Sequence, residues 1–238
     1  MTRKRSGFTL IELLVVMGIL MFLFGLGIAI LPGIYQKWET LKGAEMVQAA
    51  LARARQESRR SGRPTGIRFA PGAGGSISNL KLIQQPIDAT GAAAPAGGYL
   101  IPEGAGLPTL APIGNTRYFV VRPPVEIAGE REIMLPEKVG VDLAQSSIDG
   151  QNPGGLTPDP VTGFVDIVFG SGGGLTMNAW PGDKIILYVR DTKLTDVTKG
   201  YPSLICVTVR TGFIAAHPVD VGGANKYSFC NDPRSSGL

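Results

Sequence analysis

Hydrophobic positions follow two different patterns along the chain. From Phe8 to Leu31 the sequence is FTLIELLVVMGILMFLFGLGIAIL, apolar on every side and carrying one charge, Glu12. As a helix this run reaches about 36 Å, enough for the ~30 Å hydrocarbon core of a bilayer. A cleaved secretory signal would be shorter and would end at a small-residue cleavage site. Here the run instead continues into Gly33, Ile34 and Tyr35. Past Pro32 and Gly33 the pattern becomes one-sided. Ile34, Trp38, Leu41, Ala44, Val47, Leu51, Ala54 and Ser58 recur at spacings of three and four, which predicts the buried stripe of an amphipathic helix. Pro32 predicts a kink rather than a stop. Ser61-Gly62, with Pro64 just beyond, predicts the end of the helix, so one long helix is expected from Phe8 to about Ser61.

Beyond residue 61 the period changes from helical to alternating. Tyr118–Arg122, Glu132–Leu135, Val139–Leu143, Phe164–Phe169, Lys184–Arg190 and Leu204–Arg210 are short, β-branched runs separated by Gly- and Pro-rich turns. Between them and the helix lies a Gly/Ala/Pro-rich stretch at about 70–115. Within it Leu80–Gln84 reads as a strand and Ala89–Gly98 as loop. No second helix with caps and periodicity is evident. A helix followed by many strands predicts the α+β class with a mostly antiparallel sheet.

Charge sharpens this picture at one end. The chain holds 23 basic and 19 acidic residues, but Arg3, Lys4 and Arg5 supply three of the 23, leaving 20 against 19. A protein that coats nucleic acid by bulk charge is disfavoured. The basic flank before an apolar span places Met1 in the cytoplasm and the later domain outside. One histidine, His217, and two cysteines, Cys206 and Cys230, exclude zinc sites of four cysteines or of two cysteines and two histidines. Catalysis has little to build on, no cofactor is implied, and the chain reads as a non-enzyme. A hydrolase using His217 is the remaining enzymatic alternative.

Glu12 has two readings. A carboxylate inside a bilayer costs about 2.5–3.5 kcal/mol near the centre of the span, so it marks function by default. Alternatively, it snorkels to the headgroups.

The run Ser6-Gly7-Phe8-Thr9-Leu10-Ile11-Glu12-Leu13-Leu14-Val15-Val16 resembles the type IV prepilin signature. The resemblance implies a leader over residues 1–7 and cleavage by a prepilin peptidase between Gly7 and Phe8. It also implies N-methylation of Phe8, with Glu12 as the fifth residue of the mature chain. Cleavage would remove the basic leader and create an amine at Phe8. In the family the glutamate is thought to meet the amine of a neighbouring subunit, which would relieve the desolvation of both groups and fix register. Implied partners are the peptidase/methylase, other pilins or pseudopilins, an inner-membrane assembly platform and the membrane itself. Helix end and first strand, Ala54-Arg55-Gln56-Glu57-Ser58-Arg59-Arg60 through Pro64 to Gly66–Phe69, resemble the narrower H-type group. That group comprises minor pseudopilins of type II secretion and FimT-type minor pilins. On this reading residues 8–31 span the inner membrane, 34–61 form the amphipathic half-helix, and 62–238 form an exported domain.

Other candidates have weaker signals. Arg55, Arg59, Arg60 and Arg63 lie in a basic cluster with Arg53 and Arg68, where DNA phosphates could be held, as some minor pilins of this group do. The competing reading is a solvated helix face that complements the helix C-terminus. Gly170–Gly174 is a hairpin turn rather than a phosphate loop, since no helix follows. Cys206 and Cys230 pair most simply as one disulfide in an exported domain, and two free thiols are the alternative. His217 reads as a turn or surface residue.

Overall fold

The computed structural model describes residues 10–71, 76–85, 99–102, 118–121, 124–150, 155–159, 163–175, 182–223 and 225–231, with 26–36, 99–102 and 118–121 described by backbone alone. Helix α1 runs unbroken over Leu10–Ser61, 52 residues or roughly 78 Å. It continues through Pro32-Gly33. It ends where expected, because Gly62 takes φ 69°, a left-handed conformation that terminates helices and that other residues rarely adopt. Arg59 and Arg60 in the last turn complement its negative end.

Among the described residues, twelve strands and a second, single-turn helix follow. In chain order the strands are β1 (Thr65–Phe69), β2 (Ser76–Ile77), β3 (Asn79–Gln84), β4 (Tyr99–Pro102), β5 (Tyr118–Val121) and β6 (Val125–Glu126). Then come β7 (Ile133–Met134), β8 (Val139–Ile148), β9 (Val165–Phe169), β10 (Lys184–Asp191), β11 (Ser203–Thr208) and β12 (Ile214–Pro218), with α2 at Ser228–Asn231. One antiparallel sheet has the order β6-β3-β1-β9, with β7 also on β3, and a second has the order β12-β11-β10-β8-β2. The chain changes sheets at Ser78, between β2 and β3. The separate pair β4–β5 is parallel, and the two larger sheets are antiparallel, in line with the mostly antiparallel expectation.

The domain-bound half of α1 lies against strands of both sheets. Thr40, Gly43, Ala44, Val47, Ala50, Leu51, Ala54 and Ser58 are buried. Of these, Ala44, Val47, Ala50, Leu51 and Ala54 form the main core with Ile67, Phe69, Ile167, Leu187, Ile205 and others. Two members of the expected stripe are not in it: Trp38 is 69 % exposed and Leu41 40 % exposed. At 100° per residue they sit about 120–180° from the centre of the buried arc. Both are apolar and correctly spaced from each other, but they occupy a different face. Ile34 lies among the residues described by backbone alone.

Gly43 lowers helix propensity, yet the fold depends on it. A Cβ there would overlap Val139 Cγ1 and stand 3.2 Å from Val139 Cβ. The missing side chain lets the helix approach the start of β8.

Strand β10 is buried on both faces. Ile185, Leu187 and Val189 join the main core, while Ile186 and Tyr188 join a second cluster with Leu204, Cys206, Val219, Tyr227 and Cys230. This explains its continuous rather than alternating apolar run. Strand β8 runs five residues past the expected Leu143, through Ala144-Gln145-Ser146-Ser147. Register against β10 shifts there, and the Ser146 hydroxyl accepts from Tyr188 N at 3.0 Å. A side chain thus replaces a ladder partner, so polar residues continue the strand. Both β12 and α2 were absent from the sequence expectation. Strand β12 ends the sheet, where Pro218 is tolerated, and it carries His217, so this residue lies on a strand rather than in a turn. The loop Ala89–Gly98 lies outside the described residues.

Candidate assembly site and surface clusters

From Leu10 to Phe24 the large apolar side chains of α1 are exposed, Leu10 by 83 %, Met21 by 75 % and Phe24 by 72 %. A helix that is hydrophobic all round needs an apolar environment on every side. Glu12 stands in its first turn, where a carboxylate complements the positive helix end. Gly7 and Phe8, where cleavage and methylation are expected, lie outside the described residues.

Among the described residues no helix is long and apolar enough to cross a membrane.

The basic cluster is divided among several tasks. Arg55 donates to Gly173 O at 3.3 Å and Thr211 O at 2.9 Å, and Arg59 reaches Gly172 O at 3.4 Å. Ser58 Oγ donates to Gly170 O at 3.0 Å. One end of α1 therefore cradles the Gly170–Gly174 turn, whose own bonds, Gly173 N to Gly170 O and Gly170 N to Gly174 O, close it as a hairpin. Burial, then the neighbouring Arg59 charge, lowers the Arg55 guanidinium from its ordinary value. Arg60 pairs with Glu57 at 3.2 Å and Arg53 with Glu130 at 2.6 Å. Arg63 is half-buried. Arg68 makes a bidentate pair with Asp166 at 2.9 and 2.7 Å, donates to Pro124 O, and stacks 4.7 Å from the Phe164 ring centre. The Asp166 bond raises Arg68 above its ordinary pKa against the desolvation. Arg55 and Arg68 are thus tied to carbonyls and a carboxylate, whereas Arg59 and Arg60 remain exposed.

Cys206 and Cys230 are bonded, with Cα atoms 6.2 Å apart, tying α2 to β11. Around them the second cluster is rich in polar tips. Tyr227 donates to Gln145 O at 2.6 Å and Tyr188 to Val197 O at 2.7 Å. Lys226 donates to Gln145 Oε1 and lies near both tyrosine rings. Burial pushes the Tyr227 hydroxyl up to about 12 and lowers Lys226. His217 is also lowered, by burial and then by the Lys184 charge, and its Nδ1 is buried with no hydrogen-bond partner. Nothing in this cluster pairs a nucleophile with a base. Among the described residues no group of histidine, cysteine, aspartate and glutamate could hold a metal ion.

A groove of about 840 Å³ separates α1 from β12 and the 198–203 loop, lined by Leu41, Gln48, Tyr201, Pro218 and Val221 among others. Thr40 Oγ1 closes one side by donating to Gly200 O at 3.0 Å. Sequence patterning missed this groove because its walls come from a helix, a strand and two loops. The one local signal was an aromatic set in a turn, Lys199-Gly200-Tyr201-Pro202.

Residues 2–28 match the family described as the prokaryotic N-terminal methylation motif. That match supports a type IV prepilin-like protein, processed for assembly with other pilins into a pilus or pseudopilus. No curated protein and no solved structure matches the chain.

Proposed function

We propose that the protein is a structural subunit, not an enzyme, of the H-type minor pseudopilin or FimT-type minor pilin kind. Prepilin peptidase cuts between Gly7 and Phe8, and the new terminus is methylated. Residues 8–31 anchor the subunit in the inner membrane, with its N-terminus cytoplasmic and its β domain exported, until an assembly platform adds it to a filament. There the apolar half of α1 packs among other pilin helices. Glu12 meets a neighbour's terminal amine and sets register, because the remaining contacts in that bundle are non-directional.

The observation that carries this reading is the division of one continuous helix. Its second half is committed to the domain core. Its first half offers only apolar side chains, headed by Glu12, and belongs to the matched motif. The test is the mature N-terminus. Mass spectrometry of membrane-derived protein is expected to find methylated Phe8 as the first residue. A retained heptapeptide, or a start beyond Tyr35, overturns the reading.

A further inference from the structure

We infer that the membrane-proximal rim of the exported domain, formed by Lys37, Trp38, Leu41, Lys199, Tyr201 and Val221, rests in the phospholipid headgroup layer while the subunit awaits assembly. The inference rests on residues 8–31 being the membrane span.

Single exposed apolar residues are ordinary, but several at one level beside an apolar helix are not. Trp38 is 69 % exposed, Val221 62 % and Tyr201 57 %. Tyr201, Val221, Lys37 and Lys199 line the groove beside α1 together. Tyr201 also has φ 57°, a left-handed backbone that is an outlier for a bulky residue. The loop accepts this strain while holding an aromatic ring outward, with the Lys37 ammonium 5.5 Å from the ring centre. Strain kept at an exposed aromatic points to a partner for that ring.

The level fits a headgroup layer. Trp38 lies seven residues past Leu31, about 10 Å along the helix. Helical side chains lean toward the N-terminus, which brings the indole back by about one turn. It then sits roughly 5 Å beyond the apolar run, within the ~5–8 Å interfacial layer on each side of a bilayer. Tryptophan and tyrosine favour that layer, their rings being apolar with one polar tip. Lys37 and Lys42 make no ion pair among the described residues. Lys199 is 3.7 Å from Asp196 and Glu39 is 4.0 Å from Lys138, while Glu45 and Asp220, the latter beside Val221, have no ion pair among the described residues. Charge at this end is therefore balanced, and the aromatic rings carry the case for the headgroup layer.

Phe213 provides an internal control. It is 59 % exposed but follows Gly212, which lies against Arg55, about 25 Å farther along α1 than Trp38. The experiment is hydroxyl-radical footprinting of the full chain in phosphatidylethanolamine–phosphatidylglycerol vesicles, with each residue's rate normalised to that in denaturant. Trp38 and Tyr201 are expected to be at least fivefold protected relative to Phe213, at every protein-to-lipid ratio. Equal reactivity of all three in protein that resists carbonate extraction overturns the proposal and leaves the proposed function standing. Protection that vanishes as protein is diluted in lipid assigns the rim to a second subunit and also overturns it. Protein that does not enter the vesicles overturns the membrane-span reading together with this inference.

Discussion

Gly43 is the residue on which the helix–sheet contact turns. Gly43→Ala would gain about 1 kcal/mol of helix propensity in isolation. In the fold the new methyl group meets Val139, a β-branched side chain already in the core, and overpacking of this kind costs about 1–3 kcal/mol. The expected outcome is net destabilisation, read as a lower thermal midpoint despite the better helix former. His217 yields a second expectation. Its folded pKa lies below the ordinary 6.5 because burial and Lys184 disfavour the charged ring. Above pH 6.5 both states are neutral and stability is unaffected. As pH falls below 6.5 the unfolded chain takes up a proton that the folded chain resists, so stability declines. Denaturant titrations at pH 7.5 and 5.5 should show this loss, and His217→Gln should reduce it. Neither effect was legible in the sequence. Gly43 looked only like a weak helix residue, and His217 gave no sign that the β12 strand would bury its Nδ1. Glu12 was legible because a lone charge in an apolar run stands out without any structure.

At the level of elements, the helix and eight of the strands (β1, β3, β5 and β7 to β11) were legible in the sequence, and the errors have specific causes. Trp38 and Leu41 were placed in the stripe by their apolarity, though their helical angles put them on another face. Strand β8 is longer than the expected Val139–Leu143, where the apolar run gives way to Gln145, Ser146 and Ser147. Ser146 supplies a side-chain acceptor where the ladder shifts. Strand β12 and helix α2 are short, and they are held by tertiary contacts and by the disulfide rather than by local propensity. That dependence sets a prediction. Closing a loop over the 24-residue separation of Cys206 and Cys230 stabilises by roughly 3–4 kcal/mol in the chain-entropy view. Cys206→Ser with Cys230→Ser, or a reductant, should lower the urea midpoint accordingly. Hydrogen exchange should increase first in α2 and β12, while β1 and β3 stay protected.

For the whole molecule, the two halves of α1 have separate thermodynamic roles, and a variant can separate them. Glu12→Ala removes a charge from the apolar half, 28 residues before Thr40, where the buried arc begins. It should leave domain stability and membrane association unchanged while reducing co-purification with other pilins at least tenfold. Normal incorporation of this variant would remove the register role of Glu12. The basic cluster, by contrast, was not legible as an interaction surface. Six arginines near one helix end suggested an open patch, but three-dimensional packing turned Arg55 and Arg59 onto the hairpin at 170–174 and Arg68 onto Asp166.

The way α1 is seated on both sheets also bears on mechanics. On the proposed function, assembly machinery that draws the subunit out of the bilayer would load it through this helix. The buried arc from Thr40 to Ser58 grips strands of both sheets at once, so a lengthwise pull shears many contacts in parallel instead of unzipping one strand at a time. The disulfide and its cluster sit behind the second sheet, off the line of traction. The domain is therefore expected to travel as an intact cargo, yielding only at forces that strip the whole helix face together.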